Sequence, residues 1–307
     1  MAAEPREFLM TARESKRSAA IELLMLSHYF EEHRGGVEIV AGTLARELGS
    51  QDFTVTWLAT GECREDRECS RSRRRALAAS NVAETLLKLP YPVLFPSAWR
   101  AIFEEARHAD AVLAHDALYM TSIVAYLAAR VYRKPFVVVQ HIGLVPYRNS
   151  FLRRLMEAAN RLVAVPILRR ADKVVFISQL TLRHFANIRS RQTPALIFNG
   201  VDTRVYSPPT SEAKIENARR RLGLPLGVSV VLFVGRFVEK KGLLILERIA
   251  RERPEIVFAF AGWGTLDPSG WKLPNVRVLV SLSGASLASL YRASDLLLLP
   301  SVGEGFP

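Results

Sequence analysis

Short apolar runs alternate with longer segments of helical period along this chain, and that rhythm restricts the fold more than any other feature. Runs at Ile21 to Leu26, Phe53 to Leu58, Ala111 to Ala114, Phe136 to Gln140, Lys173 to Ile177 and Ala195 to Phe198 read as strands. Strands that alternate with helices pair in parallel, in a sheet whose two faces the helices cover. The first helix shows the period best: Val37, Val40, Ala41, Leu44, Ala45 and Leu48 share one face, with Glu38, Arg46 and Glu47 away from it. The rhythm pauses at Asn199 to Thr210, where Asn199-Gly200 and Pro208-Pro209 punctuate the chain. It restarts with Val230 to Val234, a helix from about Gly242, Val257 to Ala261, Val276 to Val280, a helix near Ala285 to Arg292, and Leu296 to Leu299. The expectation is an α/β protein of two tandem doubly wound parallel-sheet domains, 19–198 and 199–307, after a disordered polar leader over 1–18.

Composition narrows the class. With 307 residues, 49% hydrophobic and 23% charged, the chain can fill two cores and is neither disordered nor fibrous. Its longest uncharged stretches, such as Ala117 to Ala129 and Pro135 to Tyr147, fall short of the ~18 to 20 apolar residues a membrane span needs. Lys16 and Arg17 precede an apolar run from Ala19, but Glu22 interrupts it, so the run reads as a first strand and not as a signal peptide. Cys63 and Cys69 fit neither a disulfide framework nor a usual zinc spacing, and the expected compartment is a reducing cytoplasm. Lys plus Arg number 42 against 30 Asp plus Glu, and the net charge of +12 attracts phosphates, nucleic acid or an acidic membrane without choosing among them. Arg71 to Arg75, broken only by Ser72, reads either as a nucleic-acid or lipid-headgroup contact or as a solvated flexible loop, and the loop is favoured because no interleaved aromatics accompany it as a single-strand binder requires.

In open parallel sheets ligands bind beyond the carboxyl ends of the strands, where helix N-termini offer unpaired N–H groups. After the first strand stand Gly35-Gly36, which let backbone approach a ligand but also fit a simple turn. After Val230 to Val234 comes Gly235-Arg236-Phe237-Val238-Glu239-Lys240-Lys241-Gly242, where Arg236 and Lys241 can converge on one diphosphate, Arg as a fork and Lys as a point charge. Further strand ends carry Gly262-Trp263-Gly264 and Pro300-Ser301-Val302-Gly303-Glu304-Gly305-Phe306. His115 and His141 each follow a strand, positions that suit either a ligand contact or a buried structural histidine.

Taken in order, Gly35-Gly36-Val37-Glu38, Asn199-Gly200-Val201-Asp202, Gly235-Arg236 to Lys241-Gly242, Gly262-Trp263-Gly264, and Ser294-Asp295 through Pro300-Ser301 to Glu304-Gly305-Phe306 resemble the group 1, glycogen-synthase-like, retaining glycosyltransferases. The resemblance runs from about Ile21 to Pro307 and implies a GT-B fold, two Rossmann-like domains with a cleft between them. It implies that Arg236 and Lys241 neutralise the donor diphosphate, that Gly35, Gly36, Gly262 and Gly264 lie against the donor, that His141 faces the reacting sugar, and that Glu304 contacts the transferred sugar. His115 is a weaker candidate on the acceptor side. The family's second glutamate would lie eight positions after Glu304, past Pro307, so the second domain is expected to be incomplete. One departure stands out: family members turn through glycine after the strand ending near Val280, where this chain has Ser281-Leu282-Ser283.

What the resemblance implies is sugar transfer from a UDP- or GDP-sugar to a glycan or lipid-linked acceptor, in cell-envelope or exopolysaccharide synthesis, with retention of configuration. No Asp-x-Asp occurs, so the diphosphate is expected to be met without a metal or other cofactor. The rival expectation is a non-catalytic protein that binds a sugar nucleotide or a partner. A nucleic-acid partner is not expected. The segment Tyr147 to Arg170 sets Arg148, Arg153, Arg154, Arg161, Arg169 and Arg170 among Phe151, Leu152, Leu155, Leu162 and Val163. It reads equally as a core helix with a solvated face or as a helix resting on anionic lipid, which would place a cytoplasmic protein at the inner face of the membrane.

Overall fold

The computed structural model describes residues 20–33, 35–63, 71–81, 91–143 and 150–302. The leader, Cys69, Tyr147, Arg148, Glu304, Gly305 and Phe306 lie outside the described residues. The chain divides into two compact units that part between Asn199 and Gly200.

The first unit runs β1 (Ile21–Tyr29), α1 (Gly36–Gly49), β2 (Phe53–Thr60), β3 (Ser72–Leu77), β4 (Ala79–Ser80), β5 (Val93–Leu94), α2 (Pro96–His108), β6 (Ala111–His115), α3 (Met120–Val131), β7 (Phe136–Gln140), α4 (Ser150–Ala159), α5 (Val165–Arg170), β8 (Lys173–Phe176), α6 (Gln179–His184) and β9 (Ala195–Leu196). A single π-helical turn, Asn160–Ala164, joins α4 to α5. Seven strands form one sheet in the order β3-β2-β1-β6-β7-β8-β9, every neighbouring pair parallel. The two-residue strands β4 and β5 pair with each other, antiparallel.

Strand pleat assigns the core. Along β1, Leu24 and Leu26 enter the layer that holds Ile102 of α2 and Val124 and Ala128 of α3, whereas Leu23 and Met25 enter the layer that holds Ala41 and Ala45 of α1. Both faces of the sheet are thus apolar, which is why its strands read as nearly continuous hydrophobic runs.

The second unit repeats the plan: α7 (Glu212–Arg221), β10 (Val230–Val234), α8 (Leu243–Glu252), β11 (Val257–Ala261), β12 (Val276–Leu279), α9 (Gly284–Ala293) and β13 (Leu296–Leu297). Its parallel sheet has the order β12-β11-β10-β13. Val230 and Leu232 pack with Leu290 and Ala293 of α9, and Val231 and Phe233 with Leu243 and Leu246 of α8. Arg219 of α7 is buried and fastens the unit: its Nε donates to the Ala293 carbonyl at 2.9 Å, and its guanidinium also donates to Val228 O at 2.9 Å and to Asp295 Oδ2 at 2.8 Å. The same Asp295 oxygen accepts the Val230 N–H at 2.7 Å, so Asp295 ties the start of β13 to the start of β10. Leu296 and Leu297 are half exposed.

Two expectations are corrected. Arg71 to Arg75 is not a solvated loop, since Ser72–Leu77 is the edge strand β3, in register with β2. Alternation puts Arg74 beside Trp57 on the α1 face and sends Arg73 and Arg75 to the α2 face, where both pair with Glu105, at 2.6 and 2.9 Å. Arg74 has a side chain only 4% exposed, pairs with Glu31 at 2.9 Å and Glu32 at 3.0 Å, and lies 4.6 Å from the Trp57 ring centroid and 5.2 Å from that of Phe30. Charge pairing and cation–π contact together let an arginine occupy a core position that the sequence alone marks as polar. The second correction is Glu38, expected away from the packed face but buried, because it folds back over the first turn of α1.

Breaking a buried ion pair by removing one partner costs about 3 to 5 kcal/mol. Arg74→Met should therefore lower the urea-unfolding free energy of the first unit by about 3 kcal/mol, while Arg73→Met, at an exposed pair, should cost less than about 1 kcal/mol; equal losses would contradict the brace.

Candidate functional site

Reversal of strand order leaves a crevice at the carboxyl ends of the two strands on either side of the reversal. In the first unit that point lies between β1 and β6, and it gathers the segment after β1, which carries Gly35 and Gly36, with the ends of β6 and β7. Gly35 is the N-cap of α1 and supplies no side-chain cap. A Cβ on Gly35 would fall on the Glu38 carboxylate, so the acid itself covers this first turn, where the helix dipole favours a negative charge. Gly36 faces open space.

Asp116 follows β6 with φ +60, a left-handed conformation uncommon for a residue with a Cβ. That twist turns its Oδ1 onto the neighbouring strand end, where it accepts the His141 N–H at 2.9 Å, the Ile142 N–H at 3.0 Å and the Gln140 Nε2–H at 2.8 Å. Gln140 closes the network, donating also to Ile142 O at 2.7 Å and accepting the Ala117 N–H at 3.0 Å. The loop carrying His141 is held by a carboxylate two elements earlier, a link with no sequence signal. Burial raises the Asp116 carboxyl from 3.8 to about 7, against the pull of the Ile142 and His141 N–H groups and with repulsion from Glu38 adding to it.

His141 is buried and its Nε2 lies 2.9 Å from His115 Nδ1, with the two ring centroids 5.2 Å apart. Burial lowers the His141 imidazole to about 4, and burial together with His141 pushes His115 well below its usual range. His115 is fully buried as the last residue of β6, with Ser122 Oγ donating to its carbonyl at 3.1 Å. It has no surface to offer an acceptor, so its place is behind His141.

In the second unit the reversal lies between β10 and β13. The loops after β10 and β11 are zipped together: Gly235 N–H donates to Ala261 O at 3.0 Å, Phe237 N–H to Trp263 O at 2.6 Å, and Leu266 N–H to Phe237 O at 3.0 Å. A Cβ at Gly262 would strike the Gly235 carbonyl, and one at Gly264 the backbone of Phe237, so only glycine allows this approach. Gly242, at φ +77, N-caps α8 without a side-chain cap, and a Cβ there would strike the Pro300 carbonyl. The loop after β13 is fixed at the same place, with Val302 N–H donating to Lys240 O at 2.8 Å. Three strand-end loops thus meet around the segment from Arg236 to Lys241. Arg236 is exposed, and no hydrogen bond or ion pair among the described residues engages its guanidinium. At the unusual turn after β12, Ser281 takes φ +60, the conformation a glycine would adopt without strain.

Tandem parallel sheets with these strand-end loops define the GT-B class of fold. Anabaena HepE, solved in complex with UDP-glucose, superposes with a TM-score of 0.68 at 20% identity, over 92% of this chain and 74% of that one. Sucrose-phosphate synthase from Thermosynechococcus elongatus superposes at 0.66 with 18% identity, over 94% of this chain and 77% of that one. The profile of Glycosyltransferase Family 4 matches residues 34–205, and the chain belongs to that family. D-inositol 3-phosphate glycosyltransferases are similar to it: that of Corynebacterium kroppenstedtii is 28% identical over 229 residues, 66% of this chain and 50% of the relative. That of Mycobacterium leprae is 28% identical over 301 residues, 89% of this chain. The chain thus spans 50% to 64% of the length of these two relatives.

Asp116 has its folded value above its unfolded one, so its contribution to stability is complete below 3.8 and is lost as pH rises toward about 7. His115 and His141 act oppositely, costing stability as pH falls below 6.5, but they do so in wild type and in Asp116→Asn alike. On moving from about pH 8 to about pH 5, wild type should therefore gain stability relative to Asp116→Asn in denaturant titrations. A difference independent of pH would contradict the shifted carboxyl.

Proposed function

We propose that this chain transfers a sugar from a nucleotide sugar, UDP- or GDP-linked, to a glycan or lipid-linked acceptor. The carrying observation is Arg236, exposed and with no partner for its guanidinium among the described residues, where three strand-end loops meet through their glycines. In this reading Arg236 and Lys241 take the diphosphate, and their charge stabilises the departing nucleotide without a metal or other cofactor. Gly262 and Gly264 keep the β10 and β11 loops close enough for both to face the donor, and the uncapped start of α8 adds its dipole. By the family resemblance, Gly35 and Gly36 lie against the donor, His141 faces the reacting sugar, and Glu304, outside the described residues, contacts the transferred sugar. Family membership supports retention of anomeric configuration. HepE in complex with UDP-glucose supports a UDP-sugar as the first donor to test.

Calorimetric titration of UDP, GDP and ADP into wild type and into an Arg236→Ala, Lys241→Ala double variant tests the donor half. One nucleoside diphosphate should bind wild type, and the double variant should lose about tenfold or more in affinity, as expected when charge-assisted hydrogen bonds to phosphate are removed. Failure of all three to bind would favour the non-catalytic reading.

The acceptor side has support of its own. On α4 and the following π turn, Phe151 and Leu162 are 74% and 73% exposed, Leu155 lies half exposed in line with them, and Arg153, Arg154 and Arg161 are exposed on the same stretch. Among the described residues no helix is long and apolar enough to cross a membrane. An apolar stripe edged by arginine suits the headgroup region of an anionic bilayer, where a lipid-linked acceptor would lie, and supports a peripheral place at the inner face of the membrane and a role in envelope or exopolysaccharide synthesis. Flotation with vesicles containing phosphatidylglycerol should retain wild type, and Phe151→Ser with Leu162→Ser should reduce the bound fraction severalfold; equal binding by neutral vesicles would sink this part of the reading.

A further inference from the structure

His115 Nδ1 and His141 Nε2 lie at hydrogen-bonding distance, 2.9 Å, inside the protein. One must carry a proton and the other a lone pair, because two N–H groups or two lone pairs at this separation repel. Neither ring relieves that choice by becoming a cation at neutral pH, since burial holds both below their usual range. Two arrangements remain. If His141 donates from Nε2, His115 must carry its own proton on Nε2, an atom sealed from solvent with no hydrogen-bond partner among the described residues. If His115 donates from Nδ1, that sealed atom is only a bare ring lone pair. A buried N–H without an acceptor is the rarer and costlier defect, so the second arrangement prevails.

His141 must then hold its remaining proton on Nδ1. That nitrogen has no partner among the described residues and is not one of the sealed, unpaired atoms. The Asp116 carboxylate, by taking the backbone N–H groups of His141 and Ile142, fixes the stem from which the ring projects. We propose that His115 is a positioning residue that locks His141 as its Nδ1–H tautomer, so that His141 meets its ligand as a neutral hydrogen-bond donor and not as a base. The ligand atom it recognises is then an oxygen acceptor, either a sugar hydroxyl or a phosphate oxygen. This rests on the reading of His141 as the residue that faces the sugar nucleotide.

The test is a long-range proton–nitrogen spectrum of the full chain labelled with nitrogen-15 histidine, with His141→Asn assigning the His141 signals. Protonated Nδ1 and bare Nε2 are expected; a protonated His141 Nε2 overturns the proposal, and it does so without any need for turnover. Titration then separates the two ligand atoms: a shift of His141 Nδ1–H with UDP-glucose or GDP-mannose but not with UDP or GDP assigns a sugar hydroxyl, and the same shift with the nucleotides alone assigns a phosphate oxygen. No shift with any of them, while calorimetry reports binding, overturns the ligand contact. In the transfer reaction His115→Asn, whose amide can donate from the place of Nδ1, should keep kcat within about threefold, whereas His115→Leu should lower kcat about tenfold with KM little changed, the scale of one lost hydrogen bond. Equal rates for His115→Leu and wild type would also overturn it. Absence of nucleotide binding by wild type would instead strike the proposed function and leave the tautomer result standing.

Discussion

Parallel pairing on both sides of β1 and of β10 is the constraint from which the rest follows. A parallel strand cannot be joined to its neighbour by a tight turn, so each connection crosses a face of the sheet as a helix or long loop. Every strand of the sheet therefore delivers its chain to the same edge, and reversal of strand order opens a crevice there. The candidate site residues stand at that edge in each unit, and they come from segments far apart in sequence. Gly35, Asp116 and His141 are gathered in one case, and Gly235 to Gly242, Gly262 to Gly264 and Pro300 to Val302 in the other.

The two edges solve different physical problems. In the second unit backbone must approach backbone, and glycine is the device: three loops meet because four positions lack a Cβ or take a conformation that a Cβ opposes. In the first unit polar side chains must be buried, and a network is the device. Asp116, Gln140, His115 and His141 bond to one another at 2.8 to 2.9 Å, and of their solvent-sealed atoms Asp116 Oδ2 and His115 Nε2 have no partner among the described residues. Low polarity around the network is what moves its protonation equilibria, raising the carboxyl and lowering the imidazoles.

Arg74 shows the same economy at the sheet edge. Its charge is buried against Trp57 and Phe30 and answered by Glu31 and Glu32, the pair that opens the connection between β1 and α1. The edge strand thereby braces the segment that leads to Gly35-Gly36, and the arginine cluster serves the fold where composition suggested only a solvated surface.

Sequence by itself determined the strand and helix rhythm, the parallel α/β class, the pause near Asn199 and the glycine-rich strand ends. Each of these is a local property: a hydrophobic period, a turn chemistry, or a residue without a Cβ. Tertiary structure alone decided which strand ends become neighbours, that Arg74 and Glu38 are buried, that Asp295 is a clamp, and that His115 lies behind His141. The physical reason is that burial and hydrogen bonding depend on partners 25 to 76 residues away, as between Asp116 and His141 or Arg219 and Asp295. A charge or an imidazole in a sequence carries no mark of whether water or another side chain will meet it.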